Sequence, residues 1–319
     1  MVNMLQKLMI GRLGNQMFQY ATVRWYQVKY AKEEPISLNF GLVYKEGKKE
    51  NGFYNQLTDF QITDCLIDQK IKLSFYQKFL FLKYILRYKI EKQFRKKDYE
   101  LWKVEYERKL QKKYQKHGLF LFSFGYTPFS KTTAKNKLFV GHFESSKYFD
   151  EIKDVLQQDF TPKEKELEKN RELYEQIRKN ESVCVSIRRG DFLAKEHKKK
   201  HYICTPEYFE VAIKKMQKEI KHPQFVIFSD DIEWVKMHIK FPKGTLFESG
   251  TDPVWEKLRL MYECKHFIIS NSTFSWWAQY LSRNTNKKVI APSRWQNEGI
   301  ALDIYEDGWE LIDVDSLNN

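Results

Sequence analysis

The most informative segment of this chain is Val183-Cys184-Val185-Ser186-Ile187-Arg188-Arg189-Gly190-Asp191-Phe192. Its first half is apolar and rich in β-branched residues, which predicts a buried strand. The strand ends abruptly in two arginines, a glycine and an aspartate, so cationic side chains are delivered to the rim of a sheet. Paired guanidinium groups suit a multiply charged anion such as a diphosphate, because each donates parallel hydrogen bonds to phosphate oxygens. A solvated strand end with an exposed charge cluster explains this segment alone equally well.

The chain after residue 181 alternates short apolar runs with helical segments. Strands are predicted at 183–187, 225–228, 245–248, 266–269 and 288–290, and the dipeptides Thr205-Pro206 and Asp252-Pro253 predict the starts of helices between them. Repeated β-α-β units predict a parallel, doubly wound sheet, whose ligands bind beyond the carboxyl ends of the strands. We therefore expect one site to collect the polar residues that follow these strands: Arg188, Arg189, Asp191, Asp230, Asp231, Ser272 and Thr273.

Two further segments have patterns that predict a strand, a polar turn and then a helix. The run 11–16, Gly-Arg-Leu-Gly-Asn-Gln, follows a strand predicted at 8–10 and opens a helix whose N-terminal amides can bind an anion. Its spacing is neither a Walker loop nor a dinucleotide fingerprint. The run 271–275, Asn-Ser-Thr-Phe-Ser, follows an apolar strand in the same way. Helix capping explains that run most simply, whereas a functional interpretation places its hydroxyls on phosphate and Phe274 on a base.

Together these segments resemble the α-1,2-fucosyltransferases that use GDP-fucose, glycosyltransferase family 11. The family pattern G-G-L-G-N-Q-M-F-Q-Y-A is matched by Gly11 and by residues 13–21, H-x-R-R-G-D-Y by 188–191, and N-S-S/T-F-S-W-W by 271–277. The resemblance spans essentially the whole chain, in the family's order. Three positions depart from the pattern, namely Arg12 for the second glycine, Ser186 for the histidine, and Phe192 for the tyrosine.

The resemblance and the β-α-β alternation imply an α/β, GT-B-like fold with two Rossmann-like domains facing a cleft. We place an N-terminal, acceptor-side domain at residues 1–180, ending in a connector helix that starts near Thr161-Pro162. The C-terminal domain, residues 181–319, would bind the GDP-sugar.

The resemblance also implies a reaction, the inverting transfer of L-fucose from GDP-β-L-fucose to the 2-hydroxyl of a terminal galactoside in a surface glycan. Cleavage of the sugar–phosphate bond builds negative charge on the β-phosphate, so donors aimed there should matter most. We assign catalysis to Arg188 first, then Arg189, with Asp191 orienting them. Glu144 is a candidate general base, as is Asp191. The remaining GDP-sugar contacts are expected from Arg12, Asn15, Gln16, Asp230, Asp231, Ser272, Thr273, Phe274 and Ser275.

The composition argues against several other classes of protein. A hydrophobic content of 42% with 16% aromatic residues excludes a disordered chain. The four cysteines are not spaced as a disulfide framework or a zinc site, and Asp313-Val314-Asp315 lies apart from every motif, so we expect no metal and no cofactor besides the GDP-fucose donor. Two alternatives stay open: a transferase of the same fold with another GDP-sugar or acceptor position, and a non-catalytic protein that binds a nucleotide or glycan.

The net charge of +13 is concentrated between residues 69 and 118, where 16 basic side chains face 5 acidic ones, a balance of +11. The segment lacks proline, is helical in character and interleaves aromatic with basic residues. Three interpretations compete: a solvated helical hairpin with an aromatic core face, a peripheral docking surface for anionic lipid or a lipid-linked acceptor, and, least favoured, nucleic-acid binding. No secretory leader or spanning apolar run is visible, so we expect a cytoplasmic protein that, under the second interpretation, contacts the inner face of the membrane.

Overall fold

The computed structural model describes residues 3–95, 98–193, 195–297 and 303–317. The chain divides into two compact units. The first unit is Met1–Phe160 with Gly299–Tyr305, and the second unit is Thr161–Glu298 with Glu306–Asn319.

The first unit is built on a parallel sheet with the strand order β3-β2-β1-β5-β4. Its strands are β1 (Met4–Leu8), β2 (Ile36–Asn39), β3 (Cys65–Ile67), β4 (Leu119–Leu121) and β5 (Asn136–Val140). Its helices are α1 (Leu13–Tyr30), α2 (Gly41–Gly47), α3 (Phe75–Phe94), α4 (Tyr99–Lys116) and α5 (Lys153–Asp159).

The first strand lies earlier than the sequence predicted. The expected strand at 8–10 is in fact Met4–Leu8, and Gly11 then turns the chain with a φ of +76°. The pattern was obscured because Gln6 and Lys7 are buried within β1, and buried polar residues are not an apolar run. Gln6 is satisfied by the backbone of Lys72, which accepts from its Nε2 at 2.9 Å and donates to its Oε1 at 2.6 Å.

The basic segment 69–118 contains α3 and α4, which pack against each other and against β4. Rings of Tyr84, Tyr88, Tyr106 and Trp102 line their contact. Glu107 is buried there and accepts hydrogen bonds from Tyr84, Tyr88 and the Ser123 N–H and hydroxyl at 2.7–2.9 Å. Burial raises the pKa of Glu107, because desolvation disfavours its charged form.

The second unit confirms the predicted doubly wound parallel sheet, with the order β11-β10-β9-β6-β7-β8. Its strands are β6 (Glu181–Ile187), β7 (Pro223–Ser229), β8 (Leu246–Phe247), β9 (His266–Ile269), β10 (Val289–Pro292) and β11 (Glu310–Ile312). Its helices are α6 (Arg171–Lys179), α7 (Lys195–His201), α8 (Pro206–Glu219), α9 (Ile232–His238), α10 (Val254–Glu263) and α11 (Thr273–Leu281).

Residues 161–180 belong to the second unit, whereas the sequence placed them at the end of the N-terminal domain. The connector helix is also shorter than expected, because the α-helix α6 begins only at Arg171, after a 3-10 turn. The physical reason is that this segment is hydrogen-bonded to α10 and to the turn just before it. The backbone N–H of Leu167 donates to Glu256 at 3.1 Å, and Asn170 Nδ2 donates to Asp252 and Glu256 at 3.0 Å.

No helix in the ranges described above is both long enough and apolar enough to cross a membrane.

Candidate functional site

The two arginines emerge at the middle of the second unit's sheet. Arg188 and Arg189 directly follow β6, which lies between β7 and β9. The register sets Ser186 beside both Phe228 and Ile269. Because the three strands are parallel and about 4.8 Å apart, their carboxyl ends meet at one edge. The arginines are therefore flanked by the turn after β7 and the turn after β9.

Asp230, in the turn after β7, holds both arginine residues. Its Oδ2 lies 2.7 Å from Nη1 of Arg188, and its Oδ1 accepts the backbone N–H of Arg189 at 2.9 Å. A Cβ at Gly190 would lie 2.6 Å from Asp230 Oδ2, a separation that would force a shift. Glycine at that position thus permits the close approach of the carboxylate. The Arg188 side chain keeps 26% of its surface exposed, so it stays partly accessible while Asp230 holds its guanidinium.

Arg189 is set deeper and is packed on an aromatic stack. Its Nε donates to Asp231 at 3.2 Å, and its guanidinium lies over the Trp234 ring, 3.1 Å from the centroid. Trp234 in turn stacks on His238, with ring centroids 4.2 Å apart and planes 9° from parallel. Asp231 also caps α9, since it accepts the Trp234 N–H. Arg189 therefore supports the turn, and its side chain is less exposed than that of Arg188.

A buried cluster of three hydroxyls lies at the ends of β6 and β9. Ser275 Oγ is 2.7 Å from Ser186 Oγ and 3.3 Å from Ser270 Oγ, and all three side chains are buried. Ser275, expected among the GDP-sugar contacts, thus has a hydroxyl that is already engaged beneath the surface. Ser186, which stands where the family pattern has histidine, belongs to the same cluster.

The N-terminus of α11 is the second prominent feature of the edge. Ser272 occupies the N-cap position with extended backbone, yet its side chain makes no capping hydrogen bond. The first turn of a helix has N–H groups without intrahelical acceptors, and these attract anions. Ser272, Thr273 and Phe274 are partly exposed. Asn271 fixes the turn, because its Nδ2 donates to the carbonyls of His201 and Trp295 at 2.9 and 3.0 Å.

An ion pair with a buried carboxylate braces the neighbouring turn, and no sequence motif pointed to it. Lys257 on α10 pairs with Glu248 at 3.2 Å, and its Nζ also reaches the Ser229 carbonyl at 3.4 Å. The Ser229 hydroxyl accepts the N–H of Asp231 at 3.0 Å. This pair therefore supports the segment that carries both aspartates. Trp234 and His238 were missed in the same way, because helical periodicity alone does not show which ring meets an arginine.

In the first unit, the glycine turn after β1 is held by glutamine side chains. Gln16 is fully buried, and its Nε2 donates to the carbonyls of Gly11 and Tyr54 at 3.0 and 2.8 Å. Its Oε1 accepts the N–H of Gln56 at 3.1 Å. Gln16, expected to contact the GDP-sugar, is therefore fully used in shaping the turn. Asn15, one residue earlier on α1, is partly exposed.

Arg12 occupies the N-cap position of α1 and turns toward the segment 50–53. Its guanidinium pairs with Glu50, donates to the Asn51 carbonyl at 3.3 Å and lies 4.8 Å from the Phe53 ring centroid. The predicted role of Arg12 as an additional cation for the donor would require it to share or exchange these contacts.

Glu144, the candidate base, follows β5, which is the parallel neighbour of β1. Two unusual backbone positions precede it. Gly141 has a φ of +147°, and a Cβ there would lie 1.8 Å from the Phe122 carbonyl oxygen. Phe143 is buried with a φ of +57°, which is uncommon for a bulky residue and marks a tightly determined loop. Glu144 is partly exposed at the same end of the first unit's sheet as Gly11.

The structure brings together Arg188, Arg189, Asp230 and Asp231 by direct contact, with Ser272, Thr273 and Phe274 at the next strand end. Asp191 lies in the 3-10 turn Gly190–Leu193, and its side chain is outside the described part of the structure. Burial raises the pKa of Cys204, near this edge, to about 12, so its thiol stays protonated and is a poor nucleophile.

The Asp313-Val314-Asp315 run forms its own turn after β11. Asp313 accepts the N–H of Asp315 at 3.0 Å, and Asp315 pairs with Arg294. Among the described side chains, no three His, Cys, Asp or Glu residues are grouped as metal ligands. Metal independence stays a prediction.

Comparison with known proteins identifies the family of this chain. The model of glycosyl transferase family 11 matches residues 3–313. An α-1,2-colitosyltransferase of Escherichia coli is 30% identical over 300 residues, which are 89% of this chain and 90% of that protein. Galactoside α-(1,2)-fucosyltransferase 1 of Saimiri boliviensis boliviensis is 25% identical over 146 residues, 42% of this chain and 40% of that protein.

Solved structures agree on the architecture. The α-1,6-fucosyltransferase NodZ, soaked with GDP-fucose, aligns over 94% of this chain and 100% of its own, with a TM-score of 0.50 and 11% identity. NodZ from Bradyrhizobium, solved with selenomethionine, gives the same coverage, TM-score and identity. At such low identity the likeness shows the fold alone, and that fold is GT-B-like.

Proposed function

The chain belongs to glycosyltransferase family 11, and on that premise we propose that it transfers L-fucose from GDP-β-L-fucose to the 2-hydroxyl of a terminal galactoside, with inversion. The enzyme class rests on the family match over residues 3–313. The fucose donor and the 1,2 linkage are the proposed part. They are supported by the order of the three motifs and by relatives whose names carry α-1,2 linkages.

One observation carries the mechanism: Asp230 holds the guanidinium of the partly exposed Arg188 at the end of β6, and α11 begins just after β9, the parallel neighbour of β6. In the proposed step, the acceptor oxygen attacks the anomeric carbon while the bond from that carbon to the β-phosphate oxygen breaks. The electron pair leaves with GDP, and the acceptor proton passes to a base. Arg188 and the amides of Thr273 and Phe274 would bind the growing negative charge. Because these donors are positioned before the bond breaks, little reorganisation is needed.

The same donors support metal independence. The Arg188 guanidinium and the amides at the N-terminus of α11 would donate to the phosphate oxygens, which is the role a divalent cation has in other phosphate sites, whereas Arg189 is paired with Asp231. We expect activity in the presence of excess chelator. Glu144 is proposed as the base for the acceptor hydroxyl, with Asp191 as the alternative.

A second donor needs a direct test, because a relative that is 30% identical over 89% of this chain is named an α-1,2-colitosyltransferase. Colitose is L-fucose without its 3-hydroxyl group, so a fucose-specific enzyme must gain transition-state stabilisation from a contact to that hydroxyl. A site that hydrogen-bonds a substrate hydroxyl rejects the analogue lacking it strongly, by about 10⁴-fold in favourable cases. A ratio of kcat/KM near one for the two donors would instead favour an enzyme with no such contact.

The deciding experiment is product analysis with purified protein, lactose, excess chelator and, in separate reactions, GDP-fucose, GDP-colitose and GDP-mannose. The expected product is a fucosyl-α-1,2-galactose, identified by NMR of the new linkage. An Arg188→Ala variant, checked by its melting temperature, serves as the matched control and should give no product. Transfer to another hydroxyl would refute the proposed linkage, and a metal requirement would refute the proposed charge balance. Binding of GDP-fucose without hydrolysis or transfer would favour the non-catalytic alternative.

A further inference from the structure

Helix α3 carries an exposed apolar surface that the proposed reaction does not use. Five large side chains, Phe75, Phe79, Leu82, Leu86 and Ile90, are between 48% and 90% exposed. At 100° per residue they fall within an arc of about 80° on the helix. We call these five residues the α3 stripe. A contiguous run of large exposed apolar side chains is unusual on a protein surface and marks an interaction site.

The α3 stripe is not the face by which α3 packs into the core of the first unit. The opposite face of α3 already packs inward, where Leu80 and Tyr84 are buried in a cluster with residues of β4 and β5. Gln77 locks the helix in place, because its Nε2 donates to the carbonyls of His117 and Asn136 at 2.7 Å. Ser74 and Gln77 also form a reciprocal cap at its start. The rotation of α3 is thus fixed with the stripe facing outward.

Basic residues border the stripe on both sides. Lys78 and Lys89 lie at one margin and Lys83 at the other, by the same 100° spacing, and all three are exposed. Arg87 lies further out and pairs with Glu91 at 2.5 Å. The whole segment 69–118 carries a net charge of +11. An apolar band bordered by lysines is complementary to a partner that has an apolar interior beneath a layer of negative charge.

We propose that the α3 stripe docks the protein on the surface of an anionic lipid bilayer. Helix α3 has 20 residues and is therefore about 30 Å long, enough to lie along the interface with five side chains inserted among the acyl chains. The lysines would then reach the lipid phosphates. A second copy of this chain is a poorer occupant, because pairing two stripes would bring two segments of +11 face to face.

Vesicle flotation with the full chain tests the proposal, using phosphatidylglycerol–phosphatidylcholine vesicles and pure phosphatidylcholine vesicles as probes. We expect the wild-type chain to bind the anionic vesicles, and the binding to weaken with added salt. A Phe79→Gln/Leu86→Gln variant should lose about tenfold or more in its partition coefficient, since it removes two inserted side chains. A Lys78→Gln/Lys83→Gln/Lys89→Gln variant should lose the preference for anionic vesicles and the salt dependence.

The matched control is Met237→Gln/Leu311→Gln, which makes the same chemical change at two exposed apolar residues outside the first unit. It should bind anionic vesicles within about twofold of the wild type. Unchanged melting temperatures confirm that all variants are folded. Failure of the wild-type chain to float with anionic vesicles overturns the proposal, and so does an equal loss in the control. A dimer seen by sedimentation that the stripe variant abolishes, without any vesicle binding, would assign the stripe to self-association instead. No sugar donor is needed, so the result is independent of the proposed reaction.

Discussion

Replacement of Asp230 separates two roles that this carboxylate can have. The structure shows it bonded to Arg188 Nη1 at 2.7 Å and to the Arg189 N–H at 2.9 Å, which makes it a positioning residue for Arg188. The sequence predicted instead that Asp230 contacts the GDP-sugar directly. In the first role its loss acts through Arg188, and in the second it acts on donor binding directly.

The size of the effect follows from the geometry. Loss of one well-placed donor at a developing oxyanion costs about 10²–10³ in kcat, roughly 2.7–4 kcal/mol. We expect Arg188→Ala to lose at least this much. Asp230→Ala frees the guanidinium and also removes the acceptor for the Arg189 N–H, so it should approach the same loss. Asp230→Asn keeps an acceptor for the Arg189 N–H, but it replaces the Oδ2 acceptor of Arg188 with an N–H donor. The backbone contact stays and the Arg188 contact is lost, so we expect a smaller loss than for Asp230→Ala, about tenfold.

The assay is steady-state kinetics on Arg188→Ala, Asp230→Ala and the double variant, with donor KM and kcat measured separately. If Asp230 acts through Arg188, the double variant should be no slower than Arg188→Ala alone, because residues that act as a unit are non-additive. Melting temperatures should change little, since this pair is partly exposed and solvent screens it. A double variant whose loss equals the product of the two single losses, together with a raised donor KM, would refute the positioning role.

Three further predictions concern other parts of the chain. Gly190→Ala should lose activity to about the extent of Asp230→Ala, since its Cβ would lie 2.6 Å from the carboxylate; wild-type kcat/KM in a folded variant would contradict this. Glu144→Gln should lower kcat and remove the acidic limb of the pH–rate profile while the donor KM stays constant, if the base assignment holds; an unchanged profile removes Glu144 from the mechanism. Burial raises the pKa of Glu107, so its contribution to stability is largest below its unfolded pKa and is lost as the pH rises through its folded pKa. Urea unfolding should therefore show the wild type gaining stability relative to Glu107→Gln as the pH falls from neutral, and the opposite trend would be inconsistent with a raised pKa.

Local signals in the sequence predicted the second unit well. The strand His266–Ile269 was placed to the residue, and the start of α8 was placed from its Thr205-Pro206 cap. These elements combine strong apolar runs with specific capping residues, so propensity and tertiary packing agree. Strand β1 was misplaced because it buries Gln6 and Lys7, whose burial depends on partners far away in the chain.

The candidate site was only partly predictable, because a motif identifies residues without showing which atoms are already used. Gln16 and Ser275 have side chains typical of phosphate contacts, yet both are buried and hydrogen-bonded within the protein. Arg188 and Arg189 look equivalent in sequence, but only Arg188 leaves a quarter of its side chain exposed. Such differences arise from pairings between strand ends, which sequence spacing does not encode.

Ser186 shows how a departure from the family pattern can leave the leaving-group site intact. Its hydroxyl meets Ser275 at 2.7 Å in a buried cluster, so this position helps to fix α11 beneath its first turn. The orientation of Arg188 depends on a different contact, the Asp230 carboxylate on the other side of β6. Asp230 follows β7 and Ser275 lies on the helix after β9, so the two contacts are on opposite sides of β6. The residue at position 186 can therefore change while Asp230 still holds Arg188. The proposed charge stabilisation therefore needs no histidine at position 186, and it rests on the Arg188–Asp230 pair and the amides of α11.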